Sequence, residues 1–403
     1  MLENKHIVFV QHAGIGGAFI SLKQIVEAAL NRGMKVTVLL LRNDIIIKNE
    51  FEKIGVFVKI LPKLSQVRFV VGGWINIFNP LHVFFAIRDF IRLPLSFNEF
   101  RKNIIQLKPD IVYLNSLCVF PYVKIARKEG IPVILHIREM YKHLPLLGKV
   151  DNWHKKNIEK YANIVFAIGH EEFERLGLHG NNCHVVRNYV DIEKWSYVEK
   201  REVNNVPVIL YVGGLNIIKG FHILIQALSK LKEKGINFRC IFLGVGIKKN
   251  KNNIISKLIM RLNSREYYNF YKTIDKLGLN KLIEFVPFVT NPIEIFKNSD
   301  VLVFPSIEPH FARPVIEAGA VGLPVIASDI SGPRDTIENG KNGLLVKPNN
   351  VEELACTIET MLSNPEMARK MGKMGRIKVE KEYNNKKNSA TIMASIDSVL
   401  SNS

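Results

Sequence analysis

Residues 300–328 read Asp300-Val-Leu-Val-Phe-Pro-Ser306-Ile-Glu308-Pro-His310-Phe-Ala312-Arg313-Pro314-Val-Ile-Glu317-Ala-Gly-Ala-Val-Gly322-Leu-Pro324-Val-Ile-Ala-Ser328. The unbroken apolar run after Asp300 predicts a strand buried on both faces, as in a parallel sheet. The loop after Ser306 carries an acid, an imidazole and a guanidinium. Pro314 suits the first turn of a helix, where its missing N–H would have no partner. Gly322 and Pro324 stop that helix, and a second strand follows over 324–328. Strand, chemistry-bearing loop, helix and strand form the repeating unit of a doubly wound α/β sheet, whose ligands sit beyond the carboxyl ends of its strands. The helix start offers unpaired N–H groups and a positive dipole end to an anion. Glu317 is expected in the first turn, where its carboxylate can accept two hydrogen bonds from a vicinal diol such as a ribose.

Outward from this stretch the same unit recurs. Apolar runs at 6–10, 36–41, 111–114, 133–137 and 164–168 alternate with helical patterns. The series restarts at 208–212 and continues at 239–243, 282–286, 301–304, 324–328 and 343–346. Two successive Rossmann-like α/β domains follow, expected to face one another across a cleft. The polar, charged stretch near 190–206 reads as their linker. We place the first domain at 1–195, the second at 196–385, and over 386–403 a C-terminal helix that packs back on the first domain.

The chain has 403 residues, 47% hydrophobic and 23% charged, which excludes a disordered protein. Lys and Arg number 56 against 37 Asp and Glu, a net charge of +19 that predicts an anionic partner. No helix-turn-helix, zinc or RNA-binding signature accompanies it, so nucleic acid is not expected. The four cysteines, Cys118, Cys183, Cys240 and Cys356, lie far apart without a C-x-x-C pair, which argues against a zinc site or a disulfide framework. Glu3 and Lys5 precede a short apolar run, so no secretory leader is expected.

Between Arg68 and Arg88 there is no charged residue, but Gly72, Gly73, Asn76, Asn79 and Pro80 argue against a membrane span. This segment, with Trp74, Phe78, Phe84 and Phe85 beside Arg68, Arg88 and Arg92, reads either as a buried helix and loop or as a surface lying on a membrane interface. Residues 247–267 read either as a solvated helix or as a basic amphipathic helix on an anionic membrane.

Three further motifs bear on chemistry. In Tyr211-Val-Gly213-Gly214-Leu-Asn-Ile-Ile-Lys219-Gly220 a strand runs into glycines and a lysine follows at a helix start. This reads as a phosphate cradle or as an ordinary glycine turn; it is not a Walker A loop. Gly14-Ile-Gly16-Gly17 follows the first strand and fails the dinucleotide pattern, because Phe19 stands where its third glycine would be, yet it still lets a phosphate or sugar approach the backbone. His136, at a strand end beside Arg138 and Glu139, is either a structural histidine or a group of the site.

In combination these motifs resemble the retaining nucleotide-sugar glycosyltransferases of family 4, the group 1 transferases, with the GT-B fold. The resemblance is carried by residues 212–220 and 305–328, by Asn188-Tyr-Val-Asp191 and by Asn339-Gly340-Lys-Asn342-Gly343. It covers nearly the whole chain and is weakest over 45–105. It implies a transferase that moves a sugar from a UDP- or GDP-linked donor to a glycan or lipid-linked acceptor with retention, in surface polysaccharide or glycolipid synthesis. The same resemblance implies a cytoplasmic enzyme, peripheral on the inner face of the membrane, with no metal and no cofactor beyond its substrate. Lys219 would neutralise the donor diphosphate and Glu317 would hold its ribose. The backbone of His310, Phe311, Ala312 and Arg313, running into Pro314 and Val315, would bind sugar hydroxyls and diphosphate. Glu308 would contact sugar or acceptor, His136 would stand beside the reacting centre, and Gly16 and Gly17 would admit diphosphate and acceptor.

Three departures stand out. Gly214 occupies the place of a family arginine, leaving Arg313, Arg334 or Lys219 to compensate. Glu308 and Glu317 have eight residues between them rather than seven. Ala312 replaces a glycine, which would be strained at positive φ. A non-catalytic GT-B subunit that binds nucleotide or glycan is the alternative reading.

Overall fold

The computed structural model describes residues 2–12, 14, 16–61, 64–67, 80–141, 148–198, 205–245 and 265–402. The chain forms two compact units, Met1–Tyr189 with Asn385–Ser403, and Val190–Asn384. The junction lies at 189/190 rather than at 195. Val190 already belongs to the second unit, where its N–H donates to the Tyr383 carbonyl and Trp195 packs on Phe296.

The first unit is a seven-stranded, all-parallel sheet in the order β3-β2-β1-β4-β5-β6-β7. Its strands are β1 (His6–Gln11), β2 (Lys35–Leu40), β3 (Phe57–Ile60), β4 (Ile111–Leu114), β5 (Val133–Ile137), β6 (Ile164–Ala167) and β7 (Cys183–Val185). The second unit has six parallel strands in the order β10-β9-β8-β11-β12-β13. They are β8 (Val208–Val212), β9 (Arg239–Leu243), β10 (Ile283–Val286), β11 (Val301–Phe304), β12 (Val325–Ser328) and β13 (Leu344–Val346). In each sheet the strand order reverses between two central strands, β1 and β4 or β8 and β11. That is where an open α/β sheet leaves a crevice at its carboxyl edge.

Both units pin this pair the same way. Asp110, ahead of β4, accepts from the His6 N–H at 2.7 Å, and Asp300, ahead of β11, accepts from the Val208 N–H at 2.7 Å. Each sheet has an apolar cluster on either face. In the first unit Ile7, Phe9 and Val38 meet helix α1 (Gly17–Leu30) on one side, while Val8, Val10 and Leu114 meet Phe100 and Ile104 on the other. Helix α2 (Pro80–Ile91) runs almost directly into α3 (Leu93–Leu107). The C-terminal helix, α7 (Asn385–Ser401), buries Ile392, Met393, Ile396 and Val399 in the same cluster as α1.

In the second unit, α4 (Phe221–Glu233) covers one face and α5 (Arg313–Ala320) lies on the other. The long helix α6 (Pro365–Glu382) packs along α5, and Arg376 donates to the carbonyls of Ala320 and Trp195. These carbonyls would otherwise be orphaned at a helix end and in a turn.

Trp74 and Phe78, and the basic residues Lys248, Lys249, Lys251 and Lys257, lie outside the described residues, so the two readings of the basic insert are not decided.

Candidate active site

In the second unit the polar groups gather beyond β8 and β11. After β8 the chain turns through Gly213 and Gly214, and the buried Tyr211 hydroxyl donates to the Gly214 carbonyl at 2.9 Å. A short 3-10 turn, Ile217–Lys219, follows, capped by the Asn216 side chain accepting from the Ile218 N–H. Gly220 then opens α4. Its φ of +71° and a position whose Cβ would lie 1.7 Å from the Pro305 carbonyl oxygen demand glycine. Two bonds stitch this turn to the loop after β11: the Ile307 N–H and the Ser306 hydroxyl both donate to the Ile218 carbonyl, at 2.9 and 2.7 Å.

That stitching places Lys219 against the end of β11, its ammonium 5.6 Å from the centre of the Phe304 ring. No carboxylate forms an ion pair with it among the described residues. Lost hydration pulls its pKa down to about 7. His310 stacks on the same ring at 5.1 Å between centroids. Burial and the nearby Lys219 charge hold its pKa at about 3. The His310 carbonyl rests against Gly332, where a Cβ would come within 2.1 Å of it and φ is +97°.

Helix α5 begins at Arg313, with Pro314 in its first turn and the Val315 N–H donating to the Ala312 carbonyl. The Arg313 Nε donates to Glu317 Oε1 at 2.8 Å, and both side chains are buried. Burial raises the Glu317 pKa against the opposing pull of Arg313.

At the carboxyl edge of the first unit, Gly16 caps α1 and Gly17 is its first residue. Asn115, just after β4, donates to Gln11 Oε1 and accepts from the Arg138 Nε, and the Arg138 guanidinium also donates to Asn188 Oδ1. Glu139 accepts from the Ser116 hydroxyl at 2.7 Å and from the Leu117 N–H at 3.0 Å. Burial raises its pKa. His12, Cys118 and Glu139 place ligand-type atoms within 4.8 Å of one another, the one group among the described residues able to hold a metal ion. The bonds Glu139 already makes are those of a carboxylate that locks the loop after β4.

The chain matches two family models, "Glycosyltransferase Family 4" over residues 15–194 and "Glycosyl transferases group 1" over residues 193–378. The chain belongs to the group 1 and family 4 glycosyltransferases.

Its relatives include the glycogen synthase of Mycobacterium tuberculosis, 22% identical over 292 residues. That match covers 68% of this chain and 66% of that protein. The capsular polysaccharide biosynthesis glycosyltransferase CapM of Staphylococcus aureus is 30% identical over 183 residues, covering 45% of this chain and 43% of CapM. Among solved structures, Anabaena HepE in complex with UDP-glucose superposes with a TM-score of 0.74 at 19% identity over 98% of this chain and 99% of that one. That likeness establishes two Rossmann-like domains of the GT-B kind.

Within this glycosyltransferase several sequence expectations need correcting. Glu317 lies in the second turn of α5, not the first, because the helix starts one residue ahead of Pro314 and Glu317 turns back onto Arg313. Lys219 ends a 3-10 turn before the helix instead of starting one. Ala312 has φ −95°, so replacing a glycine there costs no strain. Arg334 is exposed and paired with Asp329.

His136 is the largest displacement. It is fully buried within β5, its Nδ1 bonded to the Tyr113 hydroxyl and its ring between Tyr113 and Phe166. Burial drives its pKa well below the ordinary value. The residue that emerges at the carboxyl edge is Arg138, two positions on, with Glu139, Asn115 and Asn188 around it. Strand alternation puts His136 and Arg138 on one face, and the structure shows that only the second lies past the sheet's end. Glu308 is half-buried, and its carbonyl accepts from the His310 ring at 2.9 Å. Phe311 is half-buried in the same loop.

Proposed function

We propose that the protein is a retaining glycosyltransferase that takes a sugar from a nucleoside-diphosphate donor held by its second unit and delivers it to a glycan or lipid-linked acceptor of a surface polysaccharide or glycolipid. The observation that carries this reading is Lys219: a cation with no anionic partner among the described residues, depressed to about 7, at the carboxyl end of the central strands. An ammonium left this way is poised for an anion, and a diphosphate is the anion a sugar transferase must stabilise as it departs. The start of α5 offers the same oxygens a positive dipole end. Glu317, held by Arg313, is the acceptor for the ribose diol, and the Glu308 side chain is assigned to the sugar or the acceptor. The glycines at 16, 17 and 214 leave the backbone approachable. Arg138, in place of His136, is the polar side chain on the first unit's edge. No metal or cofactor enters this reading. UDP in the HepE complex supports a uridine donor; GDP stays as the second base to test.

The acceptor side has its own support. Among the described residues no helix is long and apolar enough to cross a membrane. Helix α2 nevertheless exposes Phe84, Ile87, Phe90 and Ile91 at three- and four-residue spacing, Leu95 follows on α3, and Arg88 and exposed Arg92 lie beside them. With a net charge of +19, this face fits the anionic inner surface of a membrane carrying a lipid-linked acceptor.

Calorimetric titration with UDP and GDP tests the reading. One nucleotide should bind to the native chain and bind at least about 100-fold more weakly to Lys219→Met. Binding of neither would favour the non-catalytic subunit, with Gly214 as the suspected cause.

A further inference from the structure

The His310 side chain has no part in the reading above, which uses only the backbone of its loop. Its hydrogen bonds fix which nitrogen carries the proton. Nδ1 lies 2.9 Å from the Glu308 carbonyl and 3.0 Å from the Ser306 hydroxyl oxygen. A carbonyl can only accept. The Ser306 proton is already given to the Ile218 carbonyl at 2.7 Å, so this oxygen also has only lone pairs to offer. Nδ1 must therefore be the N–H. Nε2, 3.4 Å from the same Ser306 oxygen, faces no proton there and keeps its lone pair. A second proton on the ring is opposed by burial and by Lys219.

Two groups of opposite hydrogen-bonding character thus sit beside one aromatic ring, Phe304: the Lys219 ammonium, which can only donate, 5.6 Å from its centre, and the His310 ring, whose Nε2 can only accept, at 5.1 Å between centroids. Phosphate oxygens suit the first and are excluded by the second, because two lone pairs repel. The second requires an O–H or N–H. A ligand that presents both anionic oxygens and hydroxyls is a sugar carried on a phosphate. The placement is rigid: Ser306 and Glu308 hold the ring, and Gly332 backs the His310 carbonyl.

We infer that the His310 Nε2 accepts a hydrogen bond from a hydroxyl of the donor's sugar and is a specificity-determining residue for the sugar the nucleotide carries. This rests on the nucleotide-sugar reading of the second unit.

The test is titration of the native chain, His310→Ala and His310→Gln with UDP and GDP, and with UDP-glucose, UDP-galactose, UDP-N-acetylglucosamine and GDP-mannose. Both variants should lose clearly less affinity for the bare nucleotide than for the sugar nucleotide, and a melting curve close to the native one reports that they fold. The best sugar nucleotide should bind about tenfold more weakly to His310→Ala, the size of one lost hydrogen bond. His310→Gln, whose side-chain oxygen can still accept, should recover part of that loss. Equal losses for bare and sugar-bearing nucleotides would make the ring a prop for the phosphate loop and overturn the inference, as would no loss at all. A native chain that binds the nucleotide but gains nothing from any attached sugar would overturn it too. A native chain that binds no nucleotide would overturn the reading beneath it.

Discussion

The carboxyl edges of the two sheets are built on the same strand order and treat their polar groups in opposite ways. In the first unit Gln11, Asn115, Arg138 and Asn188 bond to one another, and Glu139 closes the loop after β4. Charge there is answered by the protein itself. In the second unit Lys219 rests on a phenylalanine ring with no carboxylate paired to it among the described residues, and His310 is kept neutral beside it. Charge there is left without a carboxylate to answer it. An edge that satisfies itself is stable when empty and can change its guest; an edge left with an unmet charge selects one kind of ligand and is less stable until it arrives.

The sharpest way to break this comparison is at glycines. Gly220→Ala forces a Cβ into the Pro305 carbonyl and should cost about 3 kcal/mol or more in a denaturant titration, with loss of nucleotide binding. Gly16→Ala, at a site with nothing within 4 Å of the added carbon, should cost under about 1 kcal/mol. Comparable losses would mean that both edges are equally tight.

Next in size is Glu317→Ala, which removes the carboxylate to which the buried Arg313 Nε donates. Thermal and chemical melting should show a loss of about 2 kcal/mol. The Arg313→Leu, Glu317→Leu double variant should recover most of it. If the double variant is no better than the single, the pair is not what the helix start depends on.

Lys219 gives a pH signature. Its folded pKa of about 7 lies below the unfolded value, so between the two the unfolded chain binds the extra proton and native stability rises with pH. Lys219→Met should therefore be more stable than the native chain near pH 7, with the gap closing as pH rises towards 10. Nucleotide affinity runs the other way. A diphosphate binds the charged form, so the dissociation constant should rise by up to about tenfold per pH unit above 7. A flat profile would show that Lys219 is already charged when empty. The smallest effect belongs to the outer face of α2. Phe84→Ser with Ile91→Ser should change stability by less than about 1 kcal/mol while reducing sedimentation with phosphatidylglycerol vesicles.

Most of the sheet was legible because a parallel strand buried on both faces is an unbroken apolar run, as at Val8-Phe9-Val10 or Val301-Leu302-Val303. β3 and β7 were not: both are short edge strands, and Lys59 and His184 interrupt them. The start of α1 at Gly17 was not legible either, since paired glycines argue against a helix there. The cradle at Gly213–Gly220 was legible from its glycines and lysine. The pairing of Arg313 with Glu317 was present in their spacing of four, but the position of Pro314 hid it by suggesting a later helix start. His136 and Arg138 could not be ranked, because a sequence does not mark the residue at which a strand leaves its sheet.

The first unit takes its last helix from the far end of the chain. Ile392, Met393 and Ile396 fill a cluster shared with Ile7 and Phe9, and Val190 and Asn384 form a parallel bridge where the chain crosses from one unit to the other and returns. During synthesis the second unit therefore has all of its residues before the first unit is complete. The domain made first finishes folding last, and until residue 399 emerges its apolar face around α1 stays open to water and to whatever else can cover it.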